Sequence, residues 1–270
     1  MTPKAVTDFK SFIWDFYHAN GRQFPWRNNK NPYEVVISEI MLQQTQTYRV
    51  EPKYREFLAA LPTLQDLAQA DLRTVLSLWQ GLGYNRRGKF LHTMAQEIVQ
   101  KHNGIIPDMP EMLAELPGIG KATAGSICAF AYNKPTVFIE TNIRAVFIYH
   151  FFPGRTDVHD KELFPLIAAT VDQENPREWY YALMDYGVYL KKQLPNPSRN
   201  SKHHIKQSKF EGSDRQIRGA IIRALTKQSQ VEKQDLIASI SKDTSRVERI
   251  LAELGQEKFI MISQTIVSIV

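Results

Sequence analysis

From about residue 8 to residue 190 the apolar residues recur at helical spacing, and the pattern is cut at short intervals by Pro25, Pro32, Pro52, Pro62, Gly81, Gly83, Pro107, Pro117 and Gly118. Segments of that length cannot hide an apolar stripe alone and must pack on one another, so the pattern predicts an all-α layout of short helices. With 270 residues and 43% hydrophobic content the chain has material for one large core or two smaller ones.

The character changes over residues 191–210, KKQLPNPSRNSKHHIKQSKF, which hold six Lys or Arg, two His, two Pro and no acid. This reads as a basic linker or loop over 191–212, following a main domain at 1–190. Helical spacing returns in SDRQIRGAIIRAL, KQDLIASI and TSRVERILAELGQEKF, and the chain closes on two β-prone runs, FIMISQ and TIVSIV. Three helices and a hairpin predict a small winged-helix-like domain at 213–270; a helical cap on the main body is the alternative.

Charge and cysteine usage narrow the function classes. A formal charge of +6 and a pI near 9.2 suit a polyanionic partner. A lone cysteine, Cys128, excludes an internal disulfide, a four-cysteine iron–sulfur cluster and a cysteine-rich zinc module, so no metal or cofactor is expected. The first residues are broken by Asp8, Lys10 and Asp15 and do not read as a signal peptide, and the last are too short to span a bilayer. A soluble intracellular protein, cytoplasmic or nucleoid-associated, is expected.

Three stretches carry candidate chemistry. In NPYEVVISEIMLQQTQTYRV, Tyr33, Val36, Ile37, Ile40 and Met41 form one apolar helix face, and a continuous helix would set Glu39, Gln43 and Gln46 in a narrow band at its flank. A carboxyl group desolvated at such a margin has the raised pKa a general acid needs at neutral pH; a solvated face with one acid is the alternative. In EMLAELPGIGKATAGSICAFA, two helices flank a Pro-Gly-Ile-Gly turn, and the amides near Gly120 and Lys121 are free to receive a phosphate at a helix N-terminus. The same connection also occurs in proteins that never meet DNA. In KPTVFIETNIRAVFIYHFF, Glu140 sits at a helix start, where the dipole favours the ionised form, and Ile143, Val146, Phe147 and His150 share a face. Two carboxyl groups in unlike surroundings make an acid and a stabilising anion, unless Glu140 is only a helix-start acid.

SEIMLQQTQT, LWQGLGYNRRGKFLH, LPGIGKATAGSI and IETNIRAV occur in an order and spacing that resemble the helix-hairpin-helix DNA glycosylase superfamily, most closely the MutY-type adenine DNA glycosylases, over roughly residues 8–190. The resemblance implies that fold, a partner in double-stranded DNA carrying a mispair or damaged base, and a monomer. It implies Glu39 as proton donor to adenine, Tyr84 as a side chain inserted into the duplex, and Gln43 and Gln44 in the wall of the lesion site. It also implies DNA or substrate contacts by Gly118, Gly120, Lys121, Thr123 and Asn142. Glu140 would shelter the positive charge that develops on the sugar. Lys202, Lys206 and Lys209, with Arg215 and Arg218, are expected to contact phosphates, while Arg246 and Arg249 lie on a nearly neutral third helix.

The chain departs from the family pattern in four places. Glu140-Thr141 replaces the usual Asp-Gly, moving the anion by about 1.5 Å. Ala122 stands where bifunctional relatives carry a Schiff-base lysine, so efficient strand cleavage is not expected. Lys191 and Lys192 stand where the cluster cysteines would follow MDYGVYL, and some sixty residues that read as a winged helix stand where the family carries a Nudix-like domain, so recognition of 8-oxoguanine is not implied. The expected function is monofunctional removal of a base in DNA base-excision repair, adenine from a mispair first. Thymine or uracil opposite guanine, and a catalytically inactive DNA-binding protein, are the alternatives.

Overall fold

The computed structural model describes residues 2–241 and 243–270. Its helices are α1 (Pro3–Asn20), α2 (Pro32–Leu42), α3 (Thr47–Ala60), α4 (Leu64–Gln69), α5 (Leu72–Leu78), α6 (Asn85–Lys101), α7 (Pro110–Ala114), α8 (Lys121–Tyr132), α9 (Thr141–Phe151), α10 (Asp160–Thr170) and α11 (Pro176–Gln193). A 3₁₀ turn follows at Pro197–Asn200, then α12 (Asp214–Lys227), β1 (Val231–Glu232), α13 (Lys233–Ile240), α14 (Thr244–Gln256), β2 (Ile260–Ser263) and β3 (Ile266–Ile269). The fold is mostly helical, as the periodicity predicts. Pro52 is not a boundary: it lies inside α3, as Pro165 lies inside α10.

Two compact units form, one from the chain up to Glu39 with Pro107–Lys206, the other from Ile40–Ile106 with Gln207–Val270. They do not follow breaks at 190 and 212. In the first unit α11 is the central element, with Trp179, Tyr180, Ala182 and Leu183 fully buried. Aromatic residues fill the space around it: Tyr181 stacks on Phe130 at 4.6 Å between ring centroids, and Tyr180 lies 4.1 Å from Phe138. Residues expected in a loop are partly built in, since Ser198 and Ser201 are buried and Val158 pairs with Ser201 in a parallel bridge.

A buried ion cluster ties the loop after α1 to α11. Asp185 accepts from Arg27 Nη1 and Nη2 at 2.8 and 2.7 Å, and from the backbone N and Nε of Arg22, both at 2.7 Å. The Asp185 side chain is 1% exposed and that of Arg27 6%, so each charge depends on the other.

In the second unit the C-terminal segment has no core of its own. Leu72 and Leu76 of α5 belong to the same buried cluster as Ile221, Leu225, Leu236, Ile250, Leu254, Phe259 and Val267. The order helix, strand, helix, helix, strand, strand is that of a winged helix. Its sheet has three strands rather than the two expected, in the order β1-β3-β2 and antiparallel throughout, because Val231 and Glu232 pair with Val267 and Ile266. In the hairpin Ile262 faces Val267 and Ser263 faces Ile266.

Asp185→Ala leaves Arg27 buried without its counter-charge and should lower unfolding free energy by about 3–5 kcal/mol, measured by chemical denaturation. Ending the chain at residue 212 should uncover Leu72 and Leu76; faster amide exchange in α5 and a lower Tm are expected, and unchanged exchange there would contradict the shared core.

Candidate active site

Glu39 lies near the C-terminal end of α2 and is half-buried. Its Oε2 is 2.6 Å from Oγ of Ser126, on a fully packed stretch of α8. Burial pushes the carboxyl up to about 7, an effect opposed by the Ser126 hydrogen bond and reinforced by the charge of Glu140. Ser126 Oγ also lies 3.0 Å from the carbonyl of Thr123. A hydroxyl has one proton, so it can serve either protonation state of Glu39: it donates to the carboxylate, or donates to Thr123 and accepts from the acid.

Glu140 is the N-cap of α9. Its Oε1 accepts from the backbone N–H groups of Asn142 and Ile143 at 2.7 and 2.9 Å, and Oε2 accepts from Asn142 Nδ2 at 3.1 Å. Three donors and the helix N-terminus therefore converge on an anion. Asn142 is held in turn: Lys191 Nζ donates to its Oδ1 at 2.8 Å, and a Cβ at Gly187 of α11 would stand 2.6 Å from its carbonyl oxygen. Only glycine permits that approach.

Also in the first unit is the helix-hairpin-helix. Gly118 has φ +79°, which a turn this tight requires, and Gly120 precedes α8 with no side chain capping the helix. Lys121 is exposed at the first helical position, so the amides of this terminus face outward. Lys202 and Lys206 are exposed in the same unit, while Lys209 is exposed in the other. His150 is a packed imidazole, its Nε2 3.1 Å from the Tyr186 hydroxyl and its pKa lowered by burial.

Gln43 and Gln46 do not continue the band begun by Glu39. α2 ends at Leu42, Gln44 takes a left-handed backbone at φ +55°, and Gln46 is the N-cap of α3. The cause is Arg87, which sequence reasoning missed. Its Nη1 donates to the carbonyls of Ile40, Met41 and Gln43 at 2.8, 2.9 and 2.6 Å, and Nη2 to Thr45 Oγ1 and the carbonyls of Leu82 and Gly83. This guanidinium satisfies the end of a helix, and burial lowers its pKa to about 10. The only hint was the cation in GYNRRGK.

Tyr84 precedes α6 with φ +48°. Its hydroxyl accepts from Arg215 Nη1 at 2.8 Å and from the Gln207 side-chain amide, and the guanidinium carbons of Arg87 and Arg215 each lie 5.6 Å from its ring. Two cations expected to serve phosphates are thus engaged within the protein. Arg215 holds Tyr84 and the Ser208 carbonyl, and Arg218 pairs with Glu257, which Arg86 also binds. On α14, Arg246 and Arg249 both pair with Asp214.

The side chains do not fit an iron–sulfur cluster. Cys128 is buried in α8 with its Sγ directed to the Asp108 carbonyl, and Lys191 is committed to Asn142. Among the described residues no group of three or more His, Cys, Asp or Glu is arranged to hold a metal ion, and no helix is long and apolar enough to cross a membrane.

The model of the HhH-GPD superfamily of base excision DNA repair proteins matches residues 37–166, which include Glu39, the hairpin and Glu140. The chain is also 30% identical over 275 residues to the adenine DNA glycosylase of Mycobacterium tuberculosis, covering 93% of this chain and 89% of that protein. This chain belongs to the HhH-GPD superfamily. It is 36% identical to the adenine DNA glycosylase of Buchnera aphidicola subsp. Baizongia pistaciae over 67% of its length, and spans about half the length of that relative, 52%. Among solved structures, a thermostable thymine-DNA glycosylase aligns with a TM-score of 0.62 at 25% identity, over 68% of this chain and 86% of that one. An endonuclease III–DNA covalent intermediate aligns with a TM-score of 0.56 at 17% identity, over 70% and 86%, and shows the superfamily fold alone.

Glu39 in this HhH-GPD site has a stability signature. Its folded-state pKa of about 7 lies above the ordinary 4.5, so between those values the folded protein binds the proton more tightly than the unfolded chain. Stability therefore falls as pH rises through that window and stays at the lower level above it. Glu39→Gln, neutral at every pH, should stabilise the protein by about 1–3 kcal/mol at pH 8 and by much less at pH 5. A pH-independent difference in thermal or chemical unfolding would contradict a buried, raised carboxyl.

Proposed function

We propose that the protein is a monofunctional DNA glycosylase of base excision repair that releases adenine from a mispair. The observation that carries this reading is the pairing of a carboxyl raised to about 7, Glu39, with a carboxylate fixed by three donors, Glu140. The adenine DNA glycosylase names of its relatives support the choice of base.

The bond to be broken joins a purine nitrogen to C1′ of deoxyribose. Its electrons leave with the base, so the base must gain a proton and the sugar becomes an oxocarbenium-like cation. Glu39 in its acid form gives the proton. Glu140 lowers the energy of the cation; its three donors hold it in place in advance, so little reorganisation accompanies the reaction. Water then adds to C1′ and gives up a proton, which resets Glu39.

A base within a duplex is out of reach, so the nucleotide must be flipped out; Tyr84, with its left-handed backbone and flanking guanidiniums, is suited to fill the gap. Phosphates dock on the uncapped N-terminus of α8 and on the exposed Lys202, Lys206 and Lys209. The resemblance to MutY-type enzymes gives Gln43 and Gln44 a role in recognising the lesion and Thr123 one in the hairpin. Ala122 offers no amine for a Schiff base, and the chemistry requires no metal or cluster. The enzyme acts as a monomer on double-stranded DNA inside the cell.

A second reading, removal of thymine or uracil opposite guanine, is favoured by the alignment with the thermostable thymine-DNA glycosylase and by glutamate at position 140. A panel of duplexes with single mispairs and damaged bases, treated with alkali after incubation, separates the two. No release from any duplex would leave a DNA-binding protein without activity.

Glu39→Gln should abolish excision with nearly unchanged duplex affinity, and the wild-type single-turnover rate should fall as pH rises above about 7, where the acid form is lost. Glu140→Gln should lower the same rate by about 10²–10³-fold, the scale of losing one electrostatic stabiliser. Near-wild-type rates in both variants would overturn the assignment.

A further inference from the structure

Lys191 is half-buried in the last turn of α11, one turn after Gly187, and both residues face Asn142. Its Nζ donates to Asn142 Oδ1 at 2.8 Å, and among the described residues no ion pair includes it. The neighbouring cation, Arg144, is committed to Asp160 at 2.9 and 2.8 Å. Burial lowers the pKa of Lys191, while the charge of Glu140 raises it. A desolvated ammonium beside another cation is costly, and the feature that offsets it is the carboxylate beyond Asn142.

The three side chains form a relay with one permitted polarity. An ammonium can only donate and an ionised carboxylate can only accept, so a group between them must accept on one side and donate on the other. Asn142 does so: Oδ1 faces Lys191 and Nδ2 faces Glu140 Oε2 at 3.1 Å. Without the ammonium, Asn142 loses the bond that anchors its side chain to α11, and the amide and the carboxylate it holds can shift together.

We propose that Lys191 is the positioning residue for Glu140, acting through Asn142 to set the amide's orientation and hold the carboxylate in one rotamer against the sugar. The proposal rests on the reading of Glu140 as the stabilising anion. It gives a role to a lysine standing where related chains are expected to carry a metal-binding cysteine.

The test is single-turnover release of adenine from a duplex with one adenine opposite guanine, with duplex Kd measured in parallel. Lys191→Met matches the length of the stem and removes the ammonium; the rate should fall about 10- to 100-fold with Kd unchanged within about twofold. Lys191→Arg, which keeps donor and charge, should recover most of the loss. In NMR spectra of the free protein, the Asn142 side-chain amide protons should exchange faster in Lys191→Met. Asn142→Asp covers a poorly folded methionine variant: it still accepts from Lys191 and keeps its backbone donor to Glu140 Oε1 but offers Oε2 no side-chain donor, and it should lose rate to a similar degree. A wild-type rate in Lys191→Met or in Asn142→Asp, alongside a disabled Glu140→Gln, overturns the relay and leaves the site reading intact. A wild-type rate in Glu140→Gln, or no release by the wild-type protein, overturns the site reading and the relay with it.

Discussion

The first helical turn of α9 lies against α11 at a separation that only a glycine allows. A Cβ at Gly187 would approach the Asn142 carbonyl oxygen to 2.6 Å and its Cβ to 2.7 Å, inside any real contact distance. The candidate anion depends on this approach. Glu140 caps α9, Asn142 gives it two of its three donors, and Lys191 holds Asn142 from α11. α11 is fixed in turn by its own buried aromatic residues and by Asp185, whose partners Arg22 and Arg27 come from the loop after α1. Core packing and the placement of a carboxylate are thus one constraint, and a methyl group at position 187 would strain both.

The same unit treats two identical functional groups in opposite ways. Glu140 receives two backbone amides and the Asn142 side-chain amide at a helix N-terminus, which hold its carboxylate in place. Glu39 is desolvated, which favours the neutral acid against the opposing hydrogen bond of Ser126. Ser126 adds adaptability, because its single proton can be directed to Thr123 or to Glu39 as the acid loses and regains its own. The division of labour comes from what surrounds each carboxyl, and the stability lost when Glu39 ionises is the cost of keeping an acid usable near neutral pH.

Much of this was legible in the sequence because it is local. Apolar spacing marked the helices, Gly118 and Gly120 marked the hairpin, and Glu140 before an apolar run marked a capped helix. What failed depended on residues distant in sequence. Nothing in QQTQT announces that α2 stops at Leu42; the stop is made by Arg87, whose guanidinium gathers carbonyls from more than forty positions away. A polar stretch in a good helix-forming context looks like more helix until the group that terminates it is in place. The third strand of the C-terminal sheet was hidden for a similar reason, since Val231 and Glu232 are too few to show a period and are strand only by pairing with β3. Lys191 could be seen as a departure from the family pattern, but its partner is 49 positions back and periodicity does not reach that far.

The charges show where composition misleads. An excess of six positive charges suggests a surface free to meet phosphates, yet Arg215, Arg218, Arg246 and Arg249 are engaged with Tyr84, Glu257 or Asp214 inside the second unit. These arginines join α12 to Tyr84, to the end of α14 and to its first turns, around the core that α12 shares with Leu72 and Leu76. A planar guanidinium with several donors suits such junctions, whereas an ammonium on a flexible stem stays hydrated and mobile. The exposed Lys202, Lys206 and Lys209 fit the second description: arginine builds the scaffold around Tyr84, while these three lysines stay at the surface and Lys191, of the same basic stretch, is drawn inward to Asn142.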